Sequence, residues 1–394
     1  MRPFAVVAAL MLLLSQAQPA AAEHGGPEIG SLLQCERPNV TPPRCTSVGD
    51  NFRHSVYFDP SLTEELASSL RDTMAEDYDP TALVVREDPA LTSRTDVIAF
   101  SADYGENGAA GWVYCPSDAP QGMNAQGDRW CRHQELHFNL NARYGSYLND
   151  DGSRDYVACH ELGHTVGLRH WGNPPESSGP VAATCMNADT PDGPTDLSQA
   201  EIAHINAYPY AVRVHARNFE ERAFGDPLPK AISSWPASGV GAMEVEHYAT
   251  LDELAAASDA VIRGRIAGVE LGRAFGDPGG FQLHYASVRL MVDEHVAGTL
   301  ASGAVTLELP LWDGPDSLSA LQSSLPDAEV VLFLRAKTDG PFYRLATSDA
   351  AIVDAEGRAG VPAEATGGLG ELDGVPFADA VRTIGIAARS APIR

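Results

Sequence analysis

Apolar and polar residues alternate in several short runs of the first half of the chain, a pattern typical of half-buried strands. Strands are predicted at Arg53–Phe58, Ala82–Arg86, Asp96–Ser101, Gly111–Cys115 and Glu135–Leu140. Between the first two, apolar residues recur every four positions from Leu62 to Met74 behind a serine, which predicts a helix over Ser61–Asp77. Strands and helices mixed in this way indicate an α/β unit.

Two more helices are predicted after the last of these strands. One begins at Ser153 or Asp155 and is ended by Gly167. The other covers Leu197–Ala207 and follows a turn-rich stretch. The α/β unit is therefore assigned to residues 51–210.

The second half of the chain is dominated by strand patterns. After a short predicted helix, they are Ala260–Val269, Tyr285–Val292, Ala304–Leu309, Glu329–Arg335 and Phe342–Ala346. Five strands separated by turns predict a small β-rich barrel or sandwich domain over residues 246–394. Residues 211–245 contain several prolines and glycines and are interpreted as a linker or wrapping segment.

The N-terminal residues 1–22 have the composition of a secretory signal peptide. Arg2 precedes an apolar run from Phe4 to Leu14, and small residues end the segment at Ala22. The alternative, a membrane anchor, is disfavoured because the run is shorter than the about 20 residues that span a bilayer. We therefore expect a secreted, extracellular protein without a membrane span.

Composition narrows the class of partner. With 44% hydrophobic and 20% charged residues among 394, the chain has the composition of a globular protein of more than one domain. Its formal charge of −26 repels nucleic acid and anionic lipid. No nucleic-acid partner is expected.

All six cysteines lie after the predicted signal and in the first half of the chain. An even number in an exported protein predicts disulfides, although six cysteines allow 15 pairings in principle. Sequence order favours the neighbouring pairs Cys35–Cys45, Cys115–Cys131 and Cys159–Cys185.

The strongest chemical signal is the stretch from Cys159 to His170, Cys-His-Glu-Leu-Gly-His-Thr-Val-Gly-Leu-Arg-His. Residues four apart on a helix differ by about 40° in azimuth, so His160 and His164 project from one face within reach of a single ion. Gly167 allows the backbone to leave the helix with a positive φ, which can bring His170 round as a third ligand. Three imidazoles leave a fourth position for water, the arrangement of a catalytic zinc site.

Glu161 lies next to the first ligand and is not itself one. Bound zinc lowers the pKa of its water towards about 7, and Glu161 can accept that proton and pass it to the leaving amine. The sequence therefore predicts one catalytic Zn²⁺ and hydrolysis of peptide bonds through a zinc-bound water, with Glu161 as general base.

The motif His-Glu-x-x-His-x-x-Gly-x-x-His followed by a methionine turn resembles the signature of the metzincin metallopeptidases. Met186, within Thr184–Asn187, matches the methionine of that Met-turn. Leu197–Ala207 matches the closing helix and is similar to matrixins in its Leu-Ser-x-x-Glu-Ile pattern. The resemblance covers residues 53–210 and implies an α/β (α+β) catalytic domain with a mixed five-stranded sheet.

The resemblance also implies how a substrate binds. The strand matching Gly111–Cys115 is the antiparallel edge above the cleft, where an extended polypeptide can bind by strand addition. The alternative is an ordinary sheet edge beside a disulfide. Ala188 stands where some metzincins have a tyrosine, so Glu161 and the metal must suffice, as in matrixins. A Cys159–Cys185 bridge would connect the active-site helix to the Met-turn.

Cys45 has two interpretations. Pro43-Arg44-Cys45 resembles the matrixin cysteine switch, in which a thiolate occupies the open zinc position. The residues that complete the switch motif are replaced by Thr46–Gly49, which favours the Cys35–Cys45 disulfide. Residues 23–50 are accordingly interpreted as a disulfide-stapled lead-in.

Two Asp-rich turns, Asn149–Gly152 and Asp189–Asp196, are candidates for bound Ca²⁺. Neither has the ligand spacing of a recognised calcium loop, and the alternative is a solvated turn or helix cap.

The predicted function is that of a secreted zinc metalloendopeptidase with a polypeptide substrate. One alternative is a catalytically inactive zinc-binding or adhesion module, which is disfavoured because a structural zinc site has no use for Glu161 as a base. A second alternative is a metal-dependent hydrolase of a non-peptide bond.

Overall fold

The structure, a computed structural model, describes most of residues 47–390. The described residues are 47–116, 118–124, 128–168, 184–187, 194–208, 210, 241–244, 248, 250–300, 305–312, 314–362 and 368–390. The predicted signal 1–22, the Cys35–Cys45 pair, His170 and Ala188 lie outside them.

The first unit is built on a sheet of six strands. The unit has nine described strands in all, six in this sheet and three in a smaller one. Along the chain they are β1 (Val48–Gly49), β2 (Arg53–Phe58), β3 (Val84–Asp88), β4 (Val97–Ala102), β5 (Ala109–Tyr114), β6 (Gln121–Met123), β7 (Arg129–Cys131), β8 (Gln134–Asn139) and β9 (Gly241–Glu244). The six-stranded sheet has the order β3-β2-β4-β8-β5-β9, in which only β5 and β9 introduce antiparallel pairs. The small strands β1, β7 and β6 form a separate sheet.

The sheet differs from the predicted five strands by one. Strands β2, β3, β4, β5 and β8 lie at or near the five predicted runs. The sixth strand, β9, comes from the segment interpreted as a linker, and it pairs with β5. Strand β5 is therefore not the edge of the sheet.

Four helices pack with this sheet: α1 (Glu64–Thr73, continued by a π turn over Met74–Tyr78), α2 (Gly145–Leu148), α3 (Asp151–Thr165) and α4 (Gln199–Ala207). Asp150 caps α3 by accepting a 2.9 Å hydrogen bond from the Ser153 N–H, so the helix begins earlier than predicted. Ser198 and Glu201 form a capping box on α4. Residues of α1, α3 and the sheet share one core, including Val56, Leu66, Leu70, Leu136, Tyr156 and Leu162.

The second unit contains strands β10 (Ala260–Gly276), β11 (Gln282–Gly298), β12 (Val305–Leu311), β13 (Val330–Ala336), β14 (Tyr343–Leu345), β15 (Ala351–Ala355) and β16 (Arg358–Gly360), with helices α5 (Leu251–Ala257), α6 (Leu318–Ser324) and α7 (Phe377–Ser390). Strand β10 pairs with both β11 and β13, so the pairings form a closed circuit through β10, β11, β12, β14 and β13. These five strands correspond to the five predicted ones. Helix α7 is additional, and it packs on α5 and β11.

An aromatic cluster joins the two units. The Tyr285 hydroxyl donates a 2.7 Å hydrogen bond to the Tyr104 carbonyl, and the Thr338 N–H donates to the Glu106 carboxylate at 2.9 Å. The cluster contains Tyr104, Ala109, Trp112 and Tyr114 of the first unit and Leu283, Tyr285 and Trp312 of the second. The tip of the β10–β11 hairpin thus packs against β5.

No helix in the described part of the chain combines the length and the apolar character needed to cross a membrane.

Candidate active site

Helix α3 places three polar side chains in the interior of the first unit. His160 and Glu161 have no exposed surface, and His164 is 2% exposed. They are buried because α3 lies between strand β5 on one side and the turn Thr184–Asn187 on another. Polar groups this deeply buried need partners, and those partners determine the chemistry of the site.

Backbone carbonyls fix the tautomers of both imidazoles. Nδ1 of His160 lies 2.8 Å from the Cys185 carbonyl oxygen, and Nδ1 of His164 lies 2.9 Å from that of Leu168. A carbonyl can only accept a hydrogen bond, so each Nδ1 carries the hydrogen. In the neutral rings, the lone pair is therefore on Nε2.

The two Nε2 atoms lie 3.1 Å apart. Two lone pairs at this distance repel each other unless a cation binds both, and the ligand nitrogens of a tetrahedral zinc ion are separated by about 3.3 Å. Burial lowers the pKa of His164 to about 4, against the opposing hydrogen bond to Leu168. His164 is thus neutral at pH 7, as a metal ligand must be. The pair fits a zinc ion.

A tight turn after α3 supplies one of these carbonyls. Gly167 has a φ of 94°, which favours glycine, and its N–H donates to the His164 carbonyl at 3.1 Å. The Leu168 N–H donates to the Gly163 carbonyl at 2.9 Å, which completes a Schellman motif. The turn that ends the helix therefore also orients His164, through the Leu168 carbonyl.

Among the described residues, no third His, Cys, Asp or Glu completes a metal-binding group with this pair. The third predicted ligand, His170, lies just beyond Leu168 and outside those residues.

The turn Thr184–Asn187 supplies the second carbonyl. Cys185 is joined to Cys159 of α3 by a disulfide, and its N–H donates to the Asp196 carbonyl at 3.0 Å. The Met186 sulfur lies so close to Gly163 that a Cβ at that position would overlap it. The turn is thus held directly against the helix beneath the two histidines.

The Glu161 side chain packs against strand β5 at Gly111. A Cβ added to Gly111 would stand 2.8 Å from Oε1 of Glu161, so the carboxylate can lie this close to the strand only because residue 111 has no side chain. Glu161 is therefore next to the backbone that the sequence predicts to bind an extended peptide.

The structure gives the Asp-rich turn before α3 a capping role. Asp150 accepts from the N–H and hydroxyl of Ser153, and Asp151 pairs with Arg154. The two hydrogen bonds from Ser153 lower the pKa of Asp150. No group of three or more His, Cys, Asp or Glu side chains that could hold a metal ion occurs among the described residues, and residues 189–193 of the other Asp-rich turn lie outside them.

The second predicted disulfide, Cys115–Cys131, is present as well and joins the end of β5 to β7. The sequence analysis missed Gly111 and Gly163 as site residues, since their roles depend on contacts with Glu161 and Met186. It also missed β9, whose four residues show no strand pattern of their own.

No protein-family model matches the chain, and no curated protein matches its sequence. Among solved structures, it is similar to myroilysin, with 10% identity, a TM-score of 0.26, and coverage of 39% of this chain and 82% of that one. It is also similar to high choriolytic enzyme 1, a hatching enzyme zinc-protease from the medaka Oryzias latipes. That match has 12% identity, a TM-score of 0.24, and coverage of 40% of this chain and 88% of that one.

Proposed function

We propose that this chain is a zinc metalloendopeptidase, with His160, His164 and His170 as metal ligands and Glu161 as general base. The observation that supports this most is the 3.1 Å approach of the two Nε2 atoms, each turned inward by a carbonyl on its Nδ1. A buried carboxylate lies beside them. A purely structural zinc site would have no need of that carboxylate.

Zinc, when bound, supplies a Lewis acid that polarises the substrate carbonyl and makes water more acidic. Glu161 accepts the proton of the attacking water and transfers it to the departing amine nitrogen. The Schellman turn and the Cys185 carbonyl keep both imidazoles oriented, so the ligands need not reorganise during the reaction. No covalent intermediate with the protein is required.

The proposed substrate is an extended polypeptide. Strand β5 runs next to Glu161, and a peptide that pairs with it would place its backbone near the carboxylate. Pairing through main-chain groups favours polypeptides over small esters or amides, because it needs several consecutive peptide units.

We also propose that the protein is exported. The signal-like sequence of residues 1–22 and the disulfides Cys115–Cys131 and Cys159–Cys185 support export to an oxidising compartment. Residues 51–210 would then form the catalytic domain, and residues 246–394 a β-rich accessory domain. The lead-in 23–50 is proposed to contain the third disulfide, Cys35–Cys45.

Glu161→Gln tests the role of the base. The variant keeps the shape of the side chain, so about one zinc ion per chain should remain bound while casein hydrolysis falls by about 10²–10⁴-fold. Zinc is measured by elemental analysis and hydrolysis by release of soluble peptides. A measurable wild-type rate that this variant retains in full would show that Glu161 is not the base.

His170→Ala tests the third ligand. Loss of one of three imidazoles should weaken zinc binding strongly, whereas the exposed His204→Ala on α4 should leave it unchanged. Competition with a zinc-sensitive dye measures both. Equal zinc affinity in the two variants would remove His170 from the site.

Two alternatives have distinct outcomes in the same assays. A zinc-binding module would hold the metal and cleave neither casein nor peptides in any form of the protein. A hydrolase of another bond would act on small esters or amides and leave casein intact.

A further inference from the structure

Strand β9 occupies the side of β5 where the proposed peptide substrate would pair. Its register is antiparallel, with Gly241 opposite Val113, Ala242 opposite Trp112 and Met243 opposite Gly111. The same strand also lies next to α3, the helix of the catalytic residues. The chain thus supplies its own extended segment at the edge that a substrate needs.

Distance favours this position over the outer side of β9 as the substrate site. Neighbouring strands are separated by about 4.8 Å, so a peptide on the outer side of β9 would lie about 9.6 Å from β5. A general base must lie within about 3 Å of the proton that it takes, or act through one water. Glu161 contacts β5 at Gly111, so a peptide in the place of β9 is much nearer to it.

Burial agrees with an occupied cleft. All six residues of β5 are buried, and the side chains of His160, Glu161 and His164 are at most 2% exposed. A peptide from solution therefore has no open path to these groups in this conformation.

Chain connectivity holds β9 in place. Only residues 245–250 separate it from α5 of the second unit, and that unit is docked on β5 through Trp112, Tyr285 and the rest of the aromatic cluster. A tethered segment has an effective concentration on the order of millimolar. A free peptide must exceed this to compete for the same main-chain groups.

We propose that Gly241–Glu244 is an internal competitor that keeps the enzyme latent until β9 leaves strand β5. The inference rests on the proposed peptidase function and adds its regulation. Release requires cleavage of the chain beside β9 or displacement of the second unit.

The test compares Ala242→Pro/Met243→Pro with Ala242→Ser/Met243→Leu. Adjacent residues of a strand direct their N–H groups to opposite sides, so two prolines remove the N–H that bonds to β5 whichever residue supplies it. The control pair retains both N–H groups. A third form, with specific-protease sites within 230–238 and 245–249, is folded first and then cut, which separates release of β9 from any folding defect.

Two readouts are taken on the zinc-loaded full chain: kcat/KM for a short fluorogenic peptide, and hydrogen exchange of residues 109–114 with and without a non-cleavable peptide analogue. We expect kcat/KM to rise roughly tenfold or more in the proline and cut forms, with the control unchanged. Exchange should become faster in the same two forms and slow again when the analogue is added.

Unchanged exchange, or kcat/KM that stays level or falls after release, would overturn the inference. A fall would mean that β9 itself is the strand on which substrate pairs. If no form cleaves any peptide, exchange alone decides: protection by the analogue only after release supports the competitor while the peptidase proposal fails. Absence of such protection overturns both.

Discussion

The positions of single side chains in this site are set mainly by close contacts with neighbouring backbone groups. His160 and His164 are oriented by carbonyls of Cys185 and Leu168 rather than by charged partners. Glu161 reaches β5 because residue 111 is glycine. Small changes of volume at these positions should therefore alter the proposed metal site more than changes of charge elsewhere.

Gly163→Ala should destabilise the protein although alanine is the better helix former. The new Cβ would overlap the Met186 sulfur and force the turn away from α3, at a cost of about 1–3 kcal/mol in the free energy of unfolding. The control is Gly152→Ala near the start of the same helix, where the Cβ would meet the Asp150 carboxylate at 3.6 Å. Gly152→Ala should stabilise by up to about 1 kcal/mol. Urea denaturation measures both, and equal signs would contradict the prediction.

Asp77→Asn should change how stability depends on pH. Burial raises the pKa of Asp77 from 3.8 to about 7, against the hydrogen bond that it accepts from the Leu197 N–H. Because the folded-state pKa is raised, the stabilisation by Asp77 is complete below about pH 4 and is lost as the pH rises through 7. Each pKa unit of difference between the folded and unfolded states changes the free energy of unfolding by about 1.4 kcal/mol.

The asparagine variant keeps the acceptor and cannot ionise, so its stability relative to wild type should increase between pH 4 and pH 7. The exposed Asp79→Asn is the control, because an exposed carboxylate stays solvated in both states. Urea midpoints at each pH give the comparison. Parallel curves for wild type and Asp77→Asn would contradict the expected linkage.

At the scale of elements, the C-terminal half of α3, which carries His160, Glu161 and His164, is fixed by one connection at each end. The Schellman turn follows it, and the Cys159–Cys185 disulfide joins it to the Met186 turn. These connections differ in what they stabilise: the disulfide restricts the unfolded chain, whereas the Cys185 and Leu168 carbonyls orient His160 and His164.

Replacing both Cys159 and Cys185 by alanine should lower stability and zinc affinity together. The bond closes a separation of 26 residues, for which loop entropy gives roughly 3.5 kcal/mol. Removal of Cys115–Cys131, with a separation of 16, should cost roughly 3 kcal/mol. Zinc affinity should fall only in the first variant, because only Cys185 supplies the carbonyl that orients His160. Similar zinc affinities would show that the disulfide does not position the ligand.

The sequence predicts elements whose pattern is local and misses those that depend on a distant partner. The helical spacing of His160 and His164 could be read from the motif, and β2 falls at Arg53–Phe58 as predicted. Strand β9 could not be predicted, because its conformation comes from pairing with β5. Helix α7 was overlooked although its buried positions recur at helical spacing: Phe377, Ala380, Val381, Ile384 and Ala387.

The carbonyl partners of the imidazoles were likewise beyond sequence reasoning. The Leu168 carbonyl depends on the geometry of a turn, and the Cys185 carbonyl reaches His160 across 25 positions of the chain. The motif therefore predicts which residues could bind a metal, whereas the orientation of their side chains depends on the folded unit.

At the scale of the whole molecule, each of the two units has its own hydrophobic core. The aromatic cluster lies between these cores and contains residues of both units. Tyr104 and Tyr285 meet there although 181 positions separate them, so docking of the units could not be predicted from either unit alone. The contact lies on β5, which places the second unit beside the strand on which the proposed peptide substrate would pair.

Leu283→Ala should weaken this docking. Leu283 is fully buried in the aromatic cluster, and its truncation should cost about 2–5 kcal/mol and favour separate unfolding of the two units. Leu271→Ala is the matched control on the same hairpin, where the side chain is 48% exposed and the expected change is within about 0.5 kcal/mol. Differential scanning calorimetry distinguishes one transition from two. A single unshifted transition for Leu283→Ala would contradict the role of the cluster.

The Cys159–Cys185 disulfide also closes the chain between these two cysteines into a covalent loop. The entropy of closing a loop grows only with the logarithm of its length, about 0.6 kcal/mol for each doubling. Residues 171–183 can therefore be lengthened, shortened or replaced at small energetic cost while the carbonyl that orients His160 stays in place. The proposed metal ligands His160 and His164 and the sequence of residues 171–183 can therefore change independently of each other in evolution.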